Sequence, residues 1–268
     1  MIEVYNELVK IVEQGQRAVL ATIISASGST PQRAGAKMVI KEDGSSVGTI
    51  GGGGAEHKIM QHVREVLKSG KPQIVKFDLS GKDGKVEMIC GGEMEVFMEP
   101  ILGPETLFLF GAGHLSQAMV SIAKMMGFRI VVIDPRPEYT NPERFPKADV
   151  LIVDEFENAF PKLNVDEHSY IIIYTSGHIS DEKCLAFALK TNAKYIGMIG
   201  SRKKSKEVKE RLQAKGVPIE ALNAVHSPIG IEIGAVTPEE IAISILAEVI
   251  KVKRAIEPGE RVCMGTVQ

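Results

Sequence analysis

The sequence predicts an α/β protein in which a Rossmann-like doubly wound parallel sheet follows a smaller N-terminal α+β domain. Continuously apolar runs in the second half indicate strands that are covered on both faces, as strands of parallel sheets are. These runs are 107–110, 129–133, 149–153, 170–175 and 195–199, and helical patterns separate most of them. A glycine turn directly after the first run is typical of the first strand-to-helix connection of such a sheet.

The first half combines helices with strands in a different order. Helical spacing of apolar residues predicts helices over 2–14 and from Glu56 to Leu67. Apolar or alternating runs predict strands at 18–24, 35–41, 73–79 and 93–99. This pattern favours a mixed α+β domain over repeated βαβ units.

Clustered turn formers between Glu99-Pro100 and Gly103-Pro104 predict a domain boundary. We therefore expect an N-terminal α+β domain over 1–103, a Rossmann-like domain over 104–256 and a flexible tail over 257–268. The last helix of the second domain should begin at Thr237, because Pro238 suits a first helical turn and Glu240 completes a capping box.

The composition is that of an ordinary globular chain, with 44% hydrophobic and 25% charged residues. A formal net charge of −2 argues against non-specific nucleic-acid binding. No apolar run reaches the ~18 residues of a membrane span and no secretory leader is evident, so we expect a cytoplasmic protein that does not bind membranes. Three widely spaced cysteines predict neither structural disulfides nor a zinc ribbon.

The glycine turn after the first parallel strand is a candidate phosphate site. Gly111 would make the tight turn, Gly113 would let a phosphate approach the backbone, and His114 opens the following helix. Asp134 ends the next strand, where a carboxylate can hydrogen-bond a ribose hydroxyl. Ser116 replaces the usual third glycine or alanine, and an ordinary tight turn that binds no nucleotide is the alternative.

A run of four glycines is the second candidate loop. Gly51, Gly52 and Gly53 lie just before Glu56 and its predicted helix. Successive glycines cost conformational entropy, and close approach of the backbone to a ligand would explain them.

The third candidate loop is a basic turn after the last parallel strand. The turn is Gly200-Ser201-Arg202-Lys203-Lys204, and its three cations lie at a helix N-terminus, where the partial positive charge disfavours them. A bound anion would relieve this repulsion. The alternative is a solvated turn without a ligand.

Cys90 precedes Gly91 and Gly92 in a loop that could bend close to a ligand, although a buried inert thiol is the commoner fate of a single cysteine. Cys184 lies within a helical pattern and is expected in the core. The histidines show neither an HxH nor an HExxH metal signature.

Taken in order, several segments resemble the xanthine dehydrogenase accessory factor family (XdhC/CoxI). In the first domain they are Gly28-Ser29-Thr30-Pro31, Gly35-Ala36-Lys37-Met38, Ile50-Gly51-Gly52-Gly53 with Glu56, and Cys90-Gly91-Gly92. In the second they are Gly111-Ala112-Gly113-His114, Asp134-Pro135-Arg136, Glu143-Arg144-Phe145-Pro146-Lys147-Ala148, Thr175-Ser176-Gly177-His178 with Asp181, 195–204 and His226-Ser227-Pro228-Ile229-Gly230. One departure is Gln32, which stands where the family pattern leads us to expect an arginine.

The resemblance implies a chaperone that binds the molybdenum cofactor (molybdopterin), holds it during sulfuration by a cysteine desulfurase, and delivers it to apo-xanthine dehydrogenase or a related molybdenum hydroxylase. It implies a maturation factor rather than the dehydrogenase itself, and it favours a homodimer. The glycine loops and the basic turn would hold the cofactor, and Cys90 would contact the molybdenum or its sulfur.

Two other functions stay open at this point. The Rossmann turn and Asp134 also suit an NAD(P)-dependent oxidoreductase, although no hydride-transfer constellation is evident in the sequence. A regulatory module that senses a nucleotide without turnover would need the same turn.

Overall fold

The computed structural model describes residues 1–78 and 92–254. The chain forms two compact units, Met1–Pro104 and Glu105–Gln268. The expected tail over 257–268 lies outside the described residues.

Unit 1 is an antiparallel sheet with two helices. Its elements are α1 (Ile2–Glu13), β1 (Arg17–Ser27), β2 (Lys37–Lys41), β3 (Ser46–Gly48), α2 (Gly53–Ser69), β4 (Gln73–Asp78) and β5 (Glu93–Leu102). The strand order is β3-β2-β1-β5-β4. This arrangement confirms the expected α+β class of the first half.

Each helix of unit 1 packs against a different set of β1 side chains. Ala18 and Leu20 join the core cluster of α1, whereas Val19 and Ala21 join that of α2. Successive side chains of a strand point to opposite faces, so the two helices cover opposite faces of the sheet. This double cover explains why 18–24 is continuously apolar although the sheet is antiparallel.

Strand β5 extends further than the sequence predicts and contains Pro100. The strand continues to Leu102, which pairs with Arg17 of β1. On its other side β4 begins at Gln73, opposite Met98, so Pro100 has a neighbouring strand on only one side. A residue without an N–H is tolerated where one side of a strand is open. The proline therefore does not end the strand.

Unit 2 is a parallel sheet with helices between its strands. Its elements are β6 (Thr106–Phe110), α3 (His114–Met125), β7 (Arg129–Ile133), β8 (Val150–Ile152), α4 (Phe156–Ala159), β9 (Ser169–Ile173), α5 (His178–Ala188), β10 (Tyr195–Met198), α6 (Arg202–Ala214), α7 (Ile219–Asn223) and α8 (Pro238–Lys253). The five predicted parallel strands are confirmed, each within two residues of its predicted ends.

The sheet order β10-β9-β6-β7-β8 is the Rossmann order, with β6 as the first strand and β7 as the second. Leu107 and Leu109 of β6 enter the core cluster that includes α3 and α8 residues, whereas Phe108 and Phe110 enter the cluster on the opposite face. A parallel bridge between Gly197 and His226 adds the position of a sixth strand beside β10. The doubly wound fold predicted for the second half is confirmed.

The described helices include none that combines the length and the apolar character needed to cross a membrane.

Helix α8 begins with the predicted capping box. The side chain of Thr237 accepts a hydrogen bond from the Glu240 amide, and the Glu240 carboxylate accepts one from the Thr237 amide. Pro238 occupies the first helical turn, where its missing N–H costs nothing.

We expect Thr237→Ala to lower the free energy of unfolding by about 1 kcal/mol, because an N-cap hydroxyl of this kind contributes that much. Urea denaturation measures the change. The matched control is Lys251→Ala, an exposed position on the same helix, which should stay within about 0.5 kcal/mol of the wild type. Equal effects of the two substitutions would contradict a stabilising role of the cap.

Candidate functional site

Two glycine segments of unit 1 pack against the same turn, formed by residues 27–31. A Cβ atom on Gly51 would lie 2.4 Å from Cγ of Pro31, and Gly51 has a φ of +136°. A Cβ atom on Gly92 would lie 2.5 Å from the carbonyl oxygen of Ser27 and 2.6 Å from that of Ser29. Neither position has room for a side chain. The structure therefore brings the glycine run and the segment after Cys90 together around this turn.

Glu56 organises the glycine loop from within. Its Oε1 atom accepts hydrogen bonds from the Thr49 hydroxyl at 2.7 Å and from the Gly52 amide at 3.0 Å. The helix that follows this loop begins earlier than predicted, since α2 starts at Gly53 rather than at Glu56. A carboxylate near a helix N-terminus is favourable for the helix dipole. Glu56 thus has a structural role in the loop, and contact with a cofactor stays a prediction.

The predicted site residues Cys90 and Gly91 lie outside the described residues, and Gly92 is the first described residue after them. Cys184 lies buried in the core of unit 2, as expected, and burial raises the pKa of its thiol above the ordinary range. Among the described residues, no cluster of three or more His, Cys, Asp or Glu side chains could hold a metal ion.

In unit 2, the turn after β6 joins a tightly packed glycine to an open helix N-terminus. Gly111 has a φ of +123°, and a Cβ atom there would lie 2.6 Å from the carbonyl oxygen of Tyr174. Gly113 is the N-cap of α3, and no described atom lies within 4 Å of where its Cβ would be. The first residue of α3, His114, is exposed, and no side chain of the described residues caps this helix. A helix N-terminus without a side-chain cap and the open space beside Gly113 suit an anion.

Ser116 stands where the usual pattern of this turn has a third glycine or an alanine. Its hydroxyl is fully buried and donates a hydrogen bond of 2.5 Å to the carbonyl oxygen of Gly111. The small side chain at the third motif position therefore ties the helix back to the turn.

Asp134 lies at the end of β7 as predicted, but its carboxylate is turned toward the protein. The Oδ2 atom accepts hydrogen bonds from the Ala112 amide at 3.0 Å and from Nη2 of Arg136 at 2.8 Å. The Oδ1 atom accepts from the amide and from Nε of Arg136, at 3.1 and 2.8 Å. Burial raises the pKa of Asp134, but these hydrogen bonds outweigh it and hold the pKa below its usual range. Contact of Asp134 with a ribose stays a prediction that must contend with these four hydrogen bonds.

Two arginines that the sequence analysis did not single out lie beside this carboxylate and α3. The guanidinium carbons of Arg136 and Arg144 lie 4.1 and 5.1 Å from the centre of the Tyr139 ring. Arg144 also donates to Oε1 of Gln117, which lies in α3. Both arginines lie within segments that resemble the XdhC/CoxI family. Their position just after the second strand of a Rossmann sheet is the sequence feature that could have predicted a role in ligand binding.

The basic turn before α6 is stabilised by the protein itself. Ser201 caps the helix by accepting a hydrogen bond from the Lys204 amide. Lys204 forms an ion pair of 2.5 Å with Asp181, which is fully buried. Arg202 and Lys203 are exposed. One cation of the turn thus has a carboxylate partner, and cofactor binding by Ser201, Arg202 and Lys203 stays a prediction.

A partly buried carboxylate, that of Glu248, lies on the α8 side of the sheet. Glu248 accepts hydrogen bonds from the Tyr195 hydroxyl at 2.6 Å and from the Gly230 amide at 2.9 Å. Its other oxygen lies 3.1 Å from Nδ1 of His226, whose ring stacks on Tyr195. Burial raises the pKa of Glu248, but the bonds from His226, Tyr195 and Gly230 hold it below the usual range. The members of this cluster are far apart in the chain, so no sequence pattern predicts it.

Comparison with known families agrees with this two-unit architecture. The model of the XdhC Rossmann domain matches residues 107–249, and that of the XdhC and CoxI family matches residues 11–78. The chain belongs to the XdhC family. The resemblance given by the sequence motifs is thereby confirmed.

Three curated relatives are similar to this XdhC-family chain over more than 90% of its length. The uncharacterized protein YqeB of Escherichia coli is 36% identical, and the match covers 96% of this chain and 48% of that protein. A probable xanthine dehydrogenase subunit of Bacillus subtilis is 26% identical, and the match covers 92% of this chain and 96% of that protein. The molybdenum cofactor insertion chaperone PaoD of Escherichia coli is 22% identical, and the match covers 91% of this chain and 86% of that protein. The chain thus spans about half the length of YqeB.

A solved structure also covers almost the whole chain. It is described as a xanthine dehydrogenase from Bacillus halodurans, and it matches with a TM-score of 0.53 and 25% sequence identity. The match covers 97% of this chain and 98% of that one.

The two glycines of the Rossmann turn should respond differently to the same substitution. We expect Gly111→Ala to lower the free energy of unfolding by about 2 kcal/mol or more, because the side chain would meet the Tyr174 carbonyl at a strained φ. Gly113→Ala is the matched control and should change it by less than about 1 kcal/mol, because the space there is open. Urea denaturation distinguishes them, and equal losses would refute this assignment.

Glu248→Gln should reduce stability in a pH-dependent way. At pH 7 we expect a loss of about 1–3 kcal/mol, because hydrogen bonds to a partly buried charged group are weakened. Since the folded pKa of Glu248 is lowered, its contribution is present above the unfolded pKa of about 4.3 and is lost as the pH falls through the folded value. Urea denaturation at pH 7 and pH 3 should therefore show a smaller difference between variant and wild type at pH 3. An unchanged difference would contradict a charge contribution, and the exposed Glu239→Gln on the same helix is the control.

Proposed function

We propose that this chain is an accessory protein of molybdenum-enzyme maturation. It binds the molybdenum cofactor, protects it while a cysteine desulfurase sulfurates it, and inserts it into xanthine dehydrogenase or a related molybdenum hydroxylase. Membership in the XdhC family is the observation that carries the proposal. Of the relatives that match more than nine-tenths of the chain, one is named as a molybdenum cofactor insertion chaperone and another as a probable subunit of xanthine dehydrogenase.

The geometry of unit 1 supports binding of a cofactor beside the turn at 27–31. Gly51 and Gly92 pack directly against this turn and so bring two glycine-rich segments to one place, where Gly52 faces open space. Where a glycine faces open space, a flat pterin can approach the backbone closely. The residues that would hold the cofactor here are those predicted from the sequence, namely Gly51, Gly52, Gly53, Glu56, Cys90, Gly91 and Gly92.

The cofactor would supply a molybdenum–dithiolene centre, for which a thiolate is a suitable soft ligand. Cys90 follows from this chemistry as the contact to the metal or to its sulfur. Cys184 is a poor alternative, because its thiol is buried and its raised pKa disfavours the thiolate.

The exposed side of α1 supports the homodimer that forms part of this proposal. Ile2, Tyr5, Val9 and Val12 are exposed and recur at helical spacing. Contiguous exposed apolar side chains of this kind are typical of interaction surfaces.

A nucleotide-binding Rossmann unit is the second candidate function. The open space beside Gly113 and the uncapped start of α3 favour it. This site could serve a phosphate of the cofactor or a separate nucleotide, including NAD(P).

The test of the accessory function is the molybdopterin that copurifies with the protein, measured as its fluorescent product after acid oxidation. We expect wild type to carry it and Cys90→Ser to carry several-fold less, because a contact to the metal centre is lost. Cys184→Ala is the matched thiol control and should retain the wild-type content.

Absence of molybdopterin from wild type expressed in a host that makes the cofactor would overturn the proposal. If Cys90→Ser retained the cofactor while a folded Cys184→Ala lost it, the assignment of the thiol would be wrong. Circular dichroism of each variant shows whether its fold is intact.

A further inference from the structure

The end of β7 is where a Rossmann domain distinguishes its nucleotides. A carboxylate there accepts hydrogen bonds from the ribose hydroxyls of NAD, whereas a nearby arginine accommodates the 2′-phosphate of NADP. The chain has both groups, Asp134 and Arg136. Their contacts decide which of the two can meet a ligand.

The hydrogen-bond acceptor positions of the Asp134 carboxylate are all occupied, so none is left for a ribose hydroxyl. An ionised carboxylate offers about four acceptor positions. The Ala112 amide takes one of them and three donors of Arg136 take the others. The side chain of Asp134 is also only 2% exposed. A ribose hydroxyl could bind only by breaking one of these bonds.

Arg136 keeps donors and solvent access that Asp134 lacks. Its side chain is 33% exposed, and only Nε and one hydrogen of Nη2 are used by the carboxylate. A guanidinium has five N–H donors, so three remain. The ion pair and the contact with Tyr139 together hold the guanidinium in one orientation. A fixed, partly exposed guanidinium is well suited to a phosphate group.

A second cation strengthens the positive character of this place. Arg144 lies against the same tyrosine ring and is held by Gln117 of α3. Its Nε atom is buried and has no hydrogen-bond partner among the described residues. Glu138 also acts on Arg136 electrostatically, but its side chain is exposed and screened by solvent.

We propose that the Rossmann unit binds an adenine dinucleotide that carries a 2′-phosphate, in preference to its unphosphorylated counterpart. Arg136 is the specificity-determining residue, and Asp134 is a positioning residue that holds both Arg136 and the amide of the glycine turn. The pyrophosphate meets the first-turn amides of α3 beside Gly113. This ligand is separate from the molybdenum cofactor, so the inference goes beyond the accessory function.

The direct test compares NADPH and NADH binding to the wild-type protein by isothermal titration calorimetry at fixed ionic strength. We expect NADPH to bind about tenfold more tightly or better, since a charge-assisted hydrogen bond to the phosphate is worth at least that factor. The pair 2′,5′-ADP and 5′-AMP should show the same preference, because the nicotinamide half is not involved in it.

Arg136→Gln should abolish the preference. It removes the cation and frees one acceptor position on each oxygen of Asp134, so NADPH affinity should fall by about tenfold while NADH affinity is kept or improved. Arg129→Gln is the matched control, because Arg129 lies at the opposite end of the same strand. It should leave both affinities unchanged.

Equal affinity of wild type for NADPH and NADH would overturn the inference and leave a nucleotide site intact. Binding of neither nucleotide would overturn both the inference and the nucleotide site, and the molybdopterin content would still test the accessory function separately. If Arg136→Gln lowered both affinities equally, Arg136 would not determine specificity. Should that variant fail to fold, the wild-type ratio alone decides.

Discussion

The buried carboxylate of Asp134 is the interaction on which the Rossmann site depends. One of its oxygens holds the Ala112 amide of the glycine turn, and both oxygens hold Arg136 at the end of β7. A buried charge is tolerated only when it is paired and fully hydrogen-bonded, and these bonds meet that requirement. The shape of the turn and the position of the cation are therefore coupled through a single side chain. This coupling makes the place where a nucleotide would bind rigid before any ligand arrives.

The glycines of the chain act in two distinct ways. Gly51, Gly92 and Gly111 are needed because neighbouring atoms leave no room for a Cβ, and so they fix how the loops pack. Gly113 faces open space and has an extended backbone, so a residue with a side chain could take the same conformation there. The first kind builds the loops, and the second kind leaves space that a ligand can use. A glycine cluster in the sequence can contain glycines of both kinds, and only the packing in the structure shows which is which.

Ionic groups at the other loops serve the fold in the same way. Glu56 is bonded to the loop that precedes its own helix, and Lys204 pairs with the buried Asp181. Glu248 gathers Tyr195, His226 and Gly230 on the α8 side of the sheet. Charged residues near glycine loops thus stabilise the loops themselves. The backbone and a few cations such as Arg136 are left to meet ligands, which fits a protein that binds anionic, phosphate-bearing molecules.

The sequence by itself determined the class of each unit, the five parallel strands, the capping box at Thr237 and the family. These features depend on local pattern, such as apolar runs, turn formers and motif order, which the chain carries without reference to its partners in space. The tertiary structure decided what the pattern could not: that Pro100 lies within β5, that Asp134 is saturated by Arg136, and that Gly51 and Gly92 meet one turn. Each of these depends on atoms that come together only when distant segments pack. Residue types and spacing therefore predicted where the candidate sites lie, whereas hydrogen bonds formed on folding decided which groups remain free to bind.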